Sequence, residues 1–296
     1  MLWRLRTLSM FAFMTGILLV VGALVGYIFK DAWMGLYIML GISVLMNVFC
    51  YFFSKKMALS ANRVHLITYD EDPRLYGMVQ RLADKAGLPM PEVGISEVPM
   101  PNAFATGRNP KNAAVVATRP LLNMLNDDEL EGVLAHELTH VKNRDILVMS
   151  VASTMASLVS YITRMAVWAS IFSGSDEDNG GGHLIIALLA DMLLPIAAML
   201  VQLGVSRNRE YMADEGGARL TGKPMALASA LRTIESGCSS RANTYDNVSS
   251  AHMWISNPVV RKKGALVNLF RTHPTTEDRI EKLRKLDAEI NGGFRY

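Results

Sequence analysis

Four long apolar runs constrain the fold of this 296-residue chain more than any other feature of its sequence. They occupy residues 8–29, 32–53, 146–172 and 184–205, and each is long enough to cross a bilayer as a helix. Hydrophobic residues make up 50% of the chain and charged residues only 19%, which is apolar for a soluble protein. We therefore expect two transmembrane hairpins, at residues 1–55 and 145–205.

The charges that flank these runs predict their orientation. Between the first two runs lies only the pair Lys30 and Asp31, and between the last two an acidic, glycine-rich loop at 173–182. Basic residues stand instead at the open ends of both hairpins: Arg4, Arg6, Lys55, Lys56, Arg63, Lys142, Arg144, Arg207 and Arg209. By the positive-inside rule both termini, and the segments 56–144 and 206–296, face the cytoplasm.

Two other interpretations of the apolar runs stay open. The first run follows Arg4 and Arg6 and so has the start of a signal peptide. It is, however, longer than a typical signal core, and no small-residue cleavage site follows it. The last two runs contain Arg164 and Asp191, so this pair could instead pack as long cytoplasmic helices.

A His-Glu-x-x-His motif, His136 to His140, lies in a stretch at 126–143 that reads as a helix. Asn126 followed by Glu129 is typical of a capping box. Two histidines four residues apart share one helix face, where neutral imidazoles can bind zinc, and Glu137 can take a proton from water beside them. The alternative is an ordinary helix with two surface histidines.

Two histidines alone do not complete a catalytic zinc site, which uses three protein ligands and an open position. Glu210 and Asp214 are four residues apart on a predicted helix. One carboxylate can bind the metal while the other accepts a hydrogen bond from a ligand imidazole. The spacing does not say which carboxylate does which, and a solvated, charged helix end has the same pattern.

The remaining sequence predicts a small α+β domain. Helical spacing of apolar residues covers 72–86, and short strands are expected at 93–97 and 113–118, the latter forming a hairpin with the segment before a Gly-Arg-Asn-Pro-Lys turn. Helices are expected at 224–236 and 275–291, with a polar, mobile loop at 237–250. The fold class is thus a mainly α membrane protein with a cytoplasmic domain that contains a small sheet.

His-Glu-Leu-Thr-His, followed after an apolar hairpin by Arg-Glu-Tyr-Met-Ala-Asp, resembles the M48 family of membrane metallopeptidases. The four-span layout is most similar to the HtpX branch of heat-shock proteases. The resemblance implies a gluzincin site with one zinc ion per chain. It makes His136, His140 and Glu210 the ligands, Glu137 the base, and Asp214 the partner of a ligand histidine.

The same resemblance extends to two further segments. Asn102, Ala103 and Phe104 match the family's edge strand, which aligns substrate by strand addition; a simple buried strand is the alternative. His273, in a Thr-His-Pro sequence, matches a C-terminal element that would contact the substrate or an oxyanion. A capping or packing histidine would look the same.

Together these features predict a zinc-dependent endopeptidase of the bacterial inner membrane with its site at the cytoplasmic face. The resemblance implies that it cleaves misfolded or damaged membrane proteins, in quality control and stress response. Its partners would be polypeptides and the lipid bilayer. A net charge of +3 indicates no nucleic-acid surface. The alternatives are a prenyl-peptide processing protease of the same superfamily and a non-catalytic membrane scaffold or chaperone with a structural metal.

Overall fold

The computed structural model describes residues 2–28, 30–152, 154, 207–241 and 274–292. Its first two helices, α1 (Leu2–Ile28) and α2 (Ala32–Ala61), pack along each other as a hairpin. The Asp31 carboxylate begins α2 by accepting a hydrogen bond from the Met34 amide at 2.9 Å. Within the hairpin the Thr15 hydroxyl accepts hydrogen bonds from Ser43 at 2.7 Å and Asn47 at 3.0 Å.

Among the described residues, one helix is long and apolar enough to cross a membrane, namely α2, with a mean hydropathy of 2.0. A shorter apolar stretch, Phe11–Val20, lies in α1. Large apolar side chains of α2 such as Trp33, Tyr37 and Leu45 are exposed on its surface. Two helices thus occupy the segment expected as the first hairpin, with α2 continuing past the expected span to Ala61. That this hairpin crosses a membrane stays a prediction.

A mixed four-stranded sheet forms one layer of the domain, in the order β1-β2-β4-β3. Its strands are β1 (Val64–Ile67), β2 (Glu92–Ser96), β3 (Ala103–Gly107) and β4 (Ala113–Thr118). β2 and β4 are parallel, whereas the other two pairs are antiparallel. β3 lies at one edge of the sheet, next to the helix that carries the histidine motif.

The helical layer is built around that motif helix. The helices after α2 are α3 (Pro73–Ala86), α4 (Arg119–Met124), α5 (Asp127–Asn143), α6 (Arg207–Thr221), α7 (Pro224–Arg241) and α8 (Thr276–Ile290). α5 packs against α3, α6, α7 and the sheet, so it is buried on all sides over most of its length. Asn126 and Glu129 form the capping box that starts it, with bonds of 3.0 and 3.2 Å.

Most of the predicted elements are confirmed. α3, β2, β4, the β3–β4 hairpin, α5 and α8 begin and end within about a residue of their expected positions. The small sheet and the mainly helical class are confirmed as well. β1 and α4 were not predicted, because a four-residue strand and a six-residue helix are too short to show a period.

The prediction of a mobile loop at 237–250 is wrong over its first residues, since α7 continues to Arg241. Cys238 is buried, with its thiol 3.8 Å from the Pro101 carbonyl oxygen, and Gly237 lies close to the Met124 side chain. These tertiary contacts stabilise helix where the local composition favours a loop. The remainder of that segment, most of the second apolar pair with Arg164 and Asp191, and His273 lie outside the described residues.

The beginning of the third apolar run is described. Residues 146–152 are helical, and Leu147, Val148 and Val151 pack with Met14 and Cys50 of the N-terminal hairpin in one apolar cluster. The chain thus passes from the end of α5 directly onto the hairpin.

Candidate active site

α5 places both histidines of the motif in the interior, one turn apart. His136 and His140 are each only 2% exposed, their ring centroids are 4.8 Å apart, and their planes are nearly perpendicular at 88°. The expected alternative of two surface histidines is therefore excluded. Buried imidazoles need polar partners, because an unpaired polar group in the interior is costly.

Glu210 of α6 supplies a carboxylate directly opposite the two rings. Its Oε1 lies 3.5 Å from His140 Nε2, and its Oε2 lies 3.7 Å from His136 Nε2. All three ligand atoms lie within 4.8 Å of one another. Two ligands of a tetrahedral zinc ion, each about 2.1 Å from it, are about 3.4 Å apart. The three side chains therefore form a site that can hold a metal ion of this size.

His136 is oriented by a second carboxylate on α6. Asp214 Oδ1 is 2.9 Å from His136 Nδ1, which leaves the Nε2 atom of the ring turned towards Glu210. This is the common arrangement in which a carboxylate fixes the tautomer of a metal-binding histidine. The two roles that the spacing of Glu210 and Asp214 left open are thus separated by the geometry.

Arg279 of α8 holds Asp214 in turn. Its guanidinium donates two hydrogen bonds, from Nε at 2.8 Å and from an Nη at 2.6 Å, and it is only 2% exposed. Burial acts to raise the pKa of Asp214, but the charge and hydrogen bonds of Arg279 outweigh it, so this pKa lies below its ordinary value. Asp214 therefore stays ionised inside the protein.

His140 faces a different acidic residue, Asp145, at the junction between α5 and residues 146–152. Asp145 Oδ2 is 3.6 Å from His140 Nδ1, and its other oxygen is 3.9 Å from the Arg209 guanidinium. Burial opposes protonation of His140, yet Asp145 and Glu210 together raise its pKa to about 10. This part of the site thus favours a positive charge, which a bound metal cation also provides.

Glu137 lies beside the cluster and is itself 4% exposed. Burial raises the pKa of its carboxyl group above the ordinary value, against the lowering effect of the two histidines. The backbone N–H of Ala105, in the edge strand β3, donates a hydrogen bond to it. The side chain that can exchange a proton is therefore held against the sheet edge.

The backbone of β3 is oriented by its pairing with β4. The carbonyl oxygen of Asn102 accepts from the Thr118 amide at 2.8 Å, and its amide donates to the Thr118 hydroxyl at 2.9 Å. Because N–H and C=O groups alternate sides along a strand, Ala103 and Ala105 turn theirs away from β4. Asn102, Ala103 and Phe104 are all buried at this edge, as a plain buried strand would also be.

Three contributors to the site were missed from the sequence: Arg279, Asp145 and the Ala105 amide. For Arg279 there was a usable signal, since it precedes Leu283 by four residues and Leu286 by seven and so lies on the apolar face of α8. A charged residue on such a face needs a buried partner. Asp145 and a backbone amide carry no comparable signal.

A buried helix with His-Glu-x-x-His beside a mixed sheet, faced by a carboxylate from a second helix, is the arrangement of a metallopeptidase. Comparison with known proteins agrees: peptidase family M48 matches residues 70–287, and the chain belongs to this family. The expected resemblance is thereby confirmed.

Relatives match over nearly the whole chain. It is 45% identical to the protease HtpX homolog of Pyrococcus furiosus, over 98% of this chain and 97% of that protein. It is 47% identical to the one of Thermococcus kodakarensis, over 97% of each, and 44% identical to the one of Persephonella marina, over 95% and 96%.

Among solved structures, Ste24p of S. mikatae matches with a TM-score of 0.47 and 20% identity, covering 95% of this chain but only 64% of that one.

Proposed function

We propose that the protein is a membrane-bound, zinc-dependent endopeptidase. The observation that carries this proposal is the convergence of His136, His140 and Glu210 on one buried point, with Glu137 beside it. Two imidazoles and one carboxylate are the ligands of many catalytic zinc sites and leave a fourth position open. Asp214 and Arg279 support the first of these ligands.

A zinc ion held by these three side chains would polarise the carbonyl of a peptide bond and make water more acidic. Glu137 accepts the proton of the attacking water and transfers it to the amine that leaves. Its raised pKa suits both transfers, since a carboxylate that is too weak a base would not take the proton. The Ala105 amide holds the carboxylate in position for this step.

The edge strand β3 is suited to bind the substrate as an added strand. Ala103 and Ala105 turn their peptide groups away from β4, towards the side on which Glu137 lies. The Ala105 N–H already donates to Glu137, so an extended polypeptide would pair with the Ala103 amide and with the carbonyl groups of Ala103 and Ala105. This pairing would bring a peptide bond next to that carboxylate. Asn102 and Phe104 would hold the strand in place, and a substrate contact by His273 stays a prediction.

The hairpin of α1 and α2 supports attachment to a membrane, because apolar side chains cover the surface of α2. With Lys55, Lys56 and Arg63 at the domain end, we place the domain in the cytoplasm and the Lys30–Asp31 connection outside. The substrates would then be misfolded or damaged membrane proteins cut in their cytoplasmic parts. A second hairpin at 145–205 belongs to this proposal.

The assignment as a zinc endopeptidase is tested by zinc quantification and by cleavage of an unfolded polypeptide. Both measurements are made on the purified wild type, Glu137→Gln and Glu210→Ala. Glu137→Gln should retain zinc but lose about 100-fold to 10,000-fold of the activity, since it lacks the base. Glu210→Ala should lose both the activity and the bound zinc, since it lacks a ligand. A chelator should abolish wild-type activity, and added zinc should restore it.

Glu131→Gln is the matched control, because Glu131 lies on the same helix and contacts Lys223 at 3.0 Å rather than the site. It should cleave like the wild type. Cleavage by Glu137→Gln at the wild-type rate would contradict the assignment of the activity to this site. Bound zinc without cleavage by the wild type would instead support the scaffold with a structural metal.

A further inference from the structure

The turn between β3 and β4, residues 108–112, lies against the domain end of α2. The guanidinium carbon of Arg108 is 5.4 Å from the centroid of the Phe52 ring. Just before the turn, the Thr106 hydroxyl and the Gly107 amide bond to the Ser150 hydroxyl at 2.8 and 3.1 Å. The turn is therefore held between α2 and the helical residues 146–152.

These contacts place the β3–β4 turn, α2 and residues 146–152 at a similar height along the long axis of the hairpin. Cys50 of α2 and Leu147 pack in the same apolar cluster. α2 runs from that cluster towards the domain, so Lys56 lies about 9 Å further on the domain side. Lys142 and Arg144 precede Leu147 in the chain and lie on the domain side as well. The turn that contains Arg108 lies at a similar height, because Arg108 contacts Phe52 of α2.

Basic side chains gather here into what we call the basic belt, made up of Lys56, Arg108, Lys111, Lys142 and Arg144. Arg108 is half-buried and the other four are exposed. In residues 52–63, 107–113 and 141–146 the one acidic residue is Asp145, which is buried beside His140. From another element, Glu92 of β2 reaches this end of α2 and pairs with Lys55 at 2.8 Å. The belt therefore carries a net excess of positive charge.

Immediately next to the belt, the surface of α2 becomes apolar and aromatic. Phe49, Phe52 and Phe53 are 43%, 57% and 46% exposed. An exposed aromatic band that passes directly into a ring of lysine and arginine matches the boundary between acyl chains and headgroups in a bilayer. Both the apolar and the charged part of this surface thus fit one partner, a lipid surface.

We propose that the basic belt binds the phosphate groups of anionic phospholipids and thereby holds the substrate edge of β3 at the membrane surface. This inference rests on the proposed function, in which β3 binds substrate. Ala105 precedes Arg108 by three residues, which is about 10 Å of extended strand. Cleavage is then confined to polypeptide segments that have just left the bilayer, so the substrate class is the membrane-proximal tail of a membrane protein.

Depth-dependent quenching tests the placement without relying on activity. Lys111→Cys and Arg232→Cys are labelled with a fluorophore, since the native Cys50 and Cys238 are buried. Arg232 is exposed on α7, which packs on the opposite end of α5. In vesicles of phosphatidylcholine with phosphatidylglycerol, a headgroup-attached quencher should quench the label at 111 and not the label at 232. Equal quenching at the two positions would overturn the proposal.

Charge reversal tests the consequence for cleavage. Arg108→Glu/Lys111→Glu is compared with Arg232→Glu/Arg284→Glu, which reverses two exposed charges elsewhere. Each protein receives a soluble unfolded polypeptide and a single-span protein with an unfolded tail, and cut positions are read by mass spectrometry. Each lysine or arginine near an anionic surface contributes about 1 kcal/mol, or about fivefold. Because the belt variant loses two of them, its ratio of membrane-proximal to soluble cleavage should fall about 25-fold.

The wild-type ratio should also fall in phosphatidylcholine alone and at high salt, because screening weakens the attraction. A belt variant with the same ratio as the control variant would overturn the proposal, as would cuts spread evenly along the tail. Failure of the wild type to cleave either substrate would count against the proposed peptidase function, while the quenching experiment would still decide the lipid contact.

Discussion

At the scale of single residues, the site is built from charges that each need a partner. His136 is held by Asp214 at 2.9 Å, and Asp214 is held by both arms of Arg279. All three are nearly inaccessible to water. Burying such a chain of charges is tolerable only when each member is matched, so the loss of one member leaves another unpaired.

Arg279→Met should therefore destabilise the protein strongly. Removing the guanidinium leaves the Asp214 carboxylate buried and unpaired, which costs about 3–5 kcal/mol in comparable cases. Thermal unfolding of the purified protein measures this loss, and zinc affinity should weaken because His136 is less well held. Arg219→Met, which breaks an exposed pair with Glu215, should change the unfolding temperature far less. Equal effects of the two substitutions would contradict the supporting role of Arg279.

The β1–α3 turn provides a prediction on pH. Glu71 accepts hydrogen bonds from the Thr68 amide at 2.6 Å and hydroxyl at 3.0 Å and contacts His65 at 3.1 Å. The Thr68 amide bond, with help from His65, lowers its pKa from 4.5 to about 2.

Because the folded-state pKa of Glu71 is the lower one, its stabilising contribution is present above pH 4.5 and is lost as the pH falls towards 2. Glu71→Gln should therefore flatten the dependence of the unfolding temperature on pH in that window. It should change the dependence above pH 6 very little. An unchanged slope in the acid range would show that Glu71 is not responsible.

At the scale of elements, the site depends on how closely α6 approaches α5. Gly217 lies two turns after Glu210, and a Cβ at this position would be 2.8 Å from the His136 backbone nitrogen and 3.0 Å from its Cα. No side chain fits between backbones at that distance. The absence of one lets α6 come near enough for Glu210 and Asp214 to reach the histidines.

Gly217→Ala should push α6 away from α5. Overpacking against a rigid backbone costs about 1–3 kcal/mol, which opposes the gain of about 1 kcal/mol in helix propensity. Zinc affinity should fall, because Glu210 moves with its helix. Gly41→Ala is the control, since nothing lies within 4 Å of a Cβ there. Retention of wild-type zinc affinity by Gly217→Ala would contradict this role of the close approach.

At the scale of the whole molecule, the hairpin, the edge strand and the cluster of His136, His140 and Glu210 are connected by continuous packing. Lys55 of α2 contacts Glu92 of β2 at 2.8 Å, and the start of the third apolar run packs on Cys50. The α1–α2 hairpin and the domain are therefore joined by packing as well as by the chain. The orientation proposed for them across a bilayer rests on the charges that flank the hairpin.

Cysteine accessibility in intact cells checks that orientation. Asp31→Cys, in the exposed connection of the hairpin, should react with a membrane-impermeant thiol reagent, whereas Lys111→Cys should react only after the membrane is opened. Cys50 and Cys238 are buried and should contribute little background. The reverse pattern of labelling would contradict a cytoplasmic site.

Much of this protein follows from local sequence patterns. Three kinds of pattern reflect the local geometry of helices, which depends only on residues a few positions apart. They are the apolar runs, the capping box of α5 and the four-residue spacings of His136/His140 and Glu210/Asp214. A motif of this kind determines which side chains share a helix face. It does not determine which residues of other elements pack against that face.

Only the tertiary structure decided the pairings between distant elements. It brought Glu210 to the histidines across 70 residues of chain, placed Arg279 on Asp214 and the Ala105 amide on Glu137, and extended α7 where local composition favours a loop. The physical reason is that a buried charge or helix end is stabilised by whatever packs against it, and those neighbours are set by the folding of the whole chain.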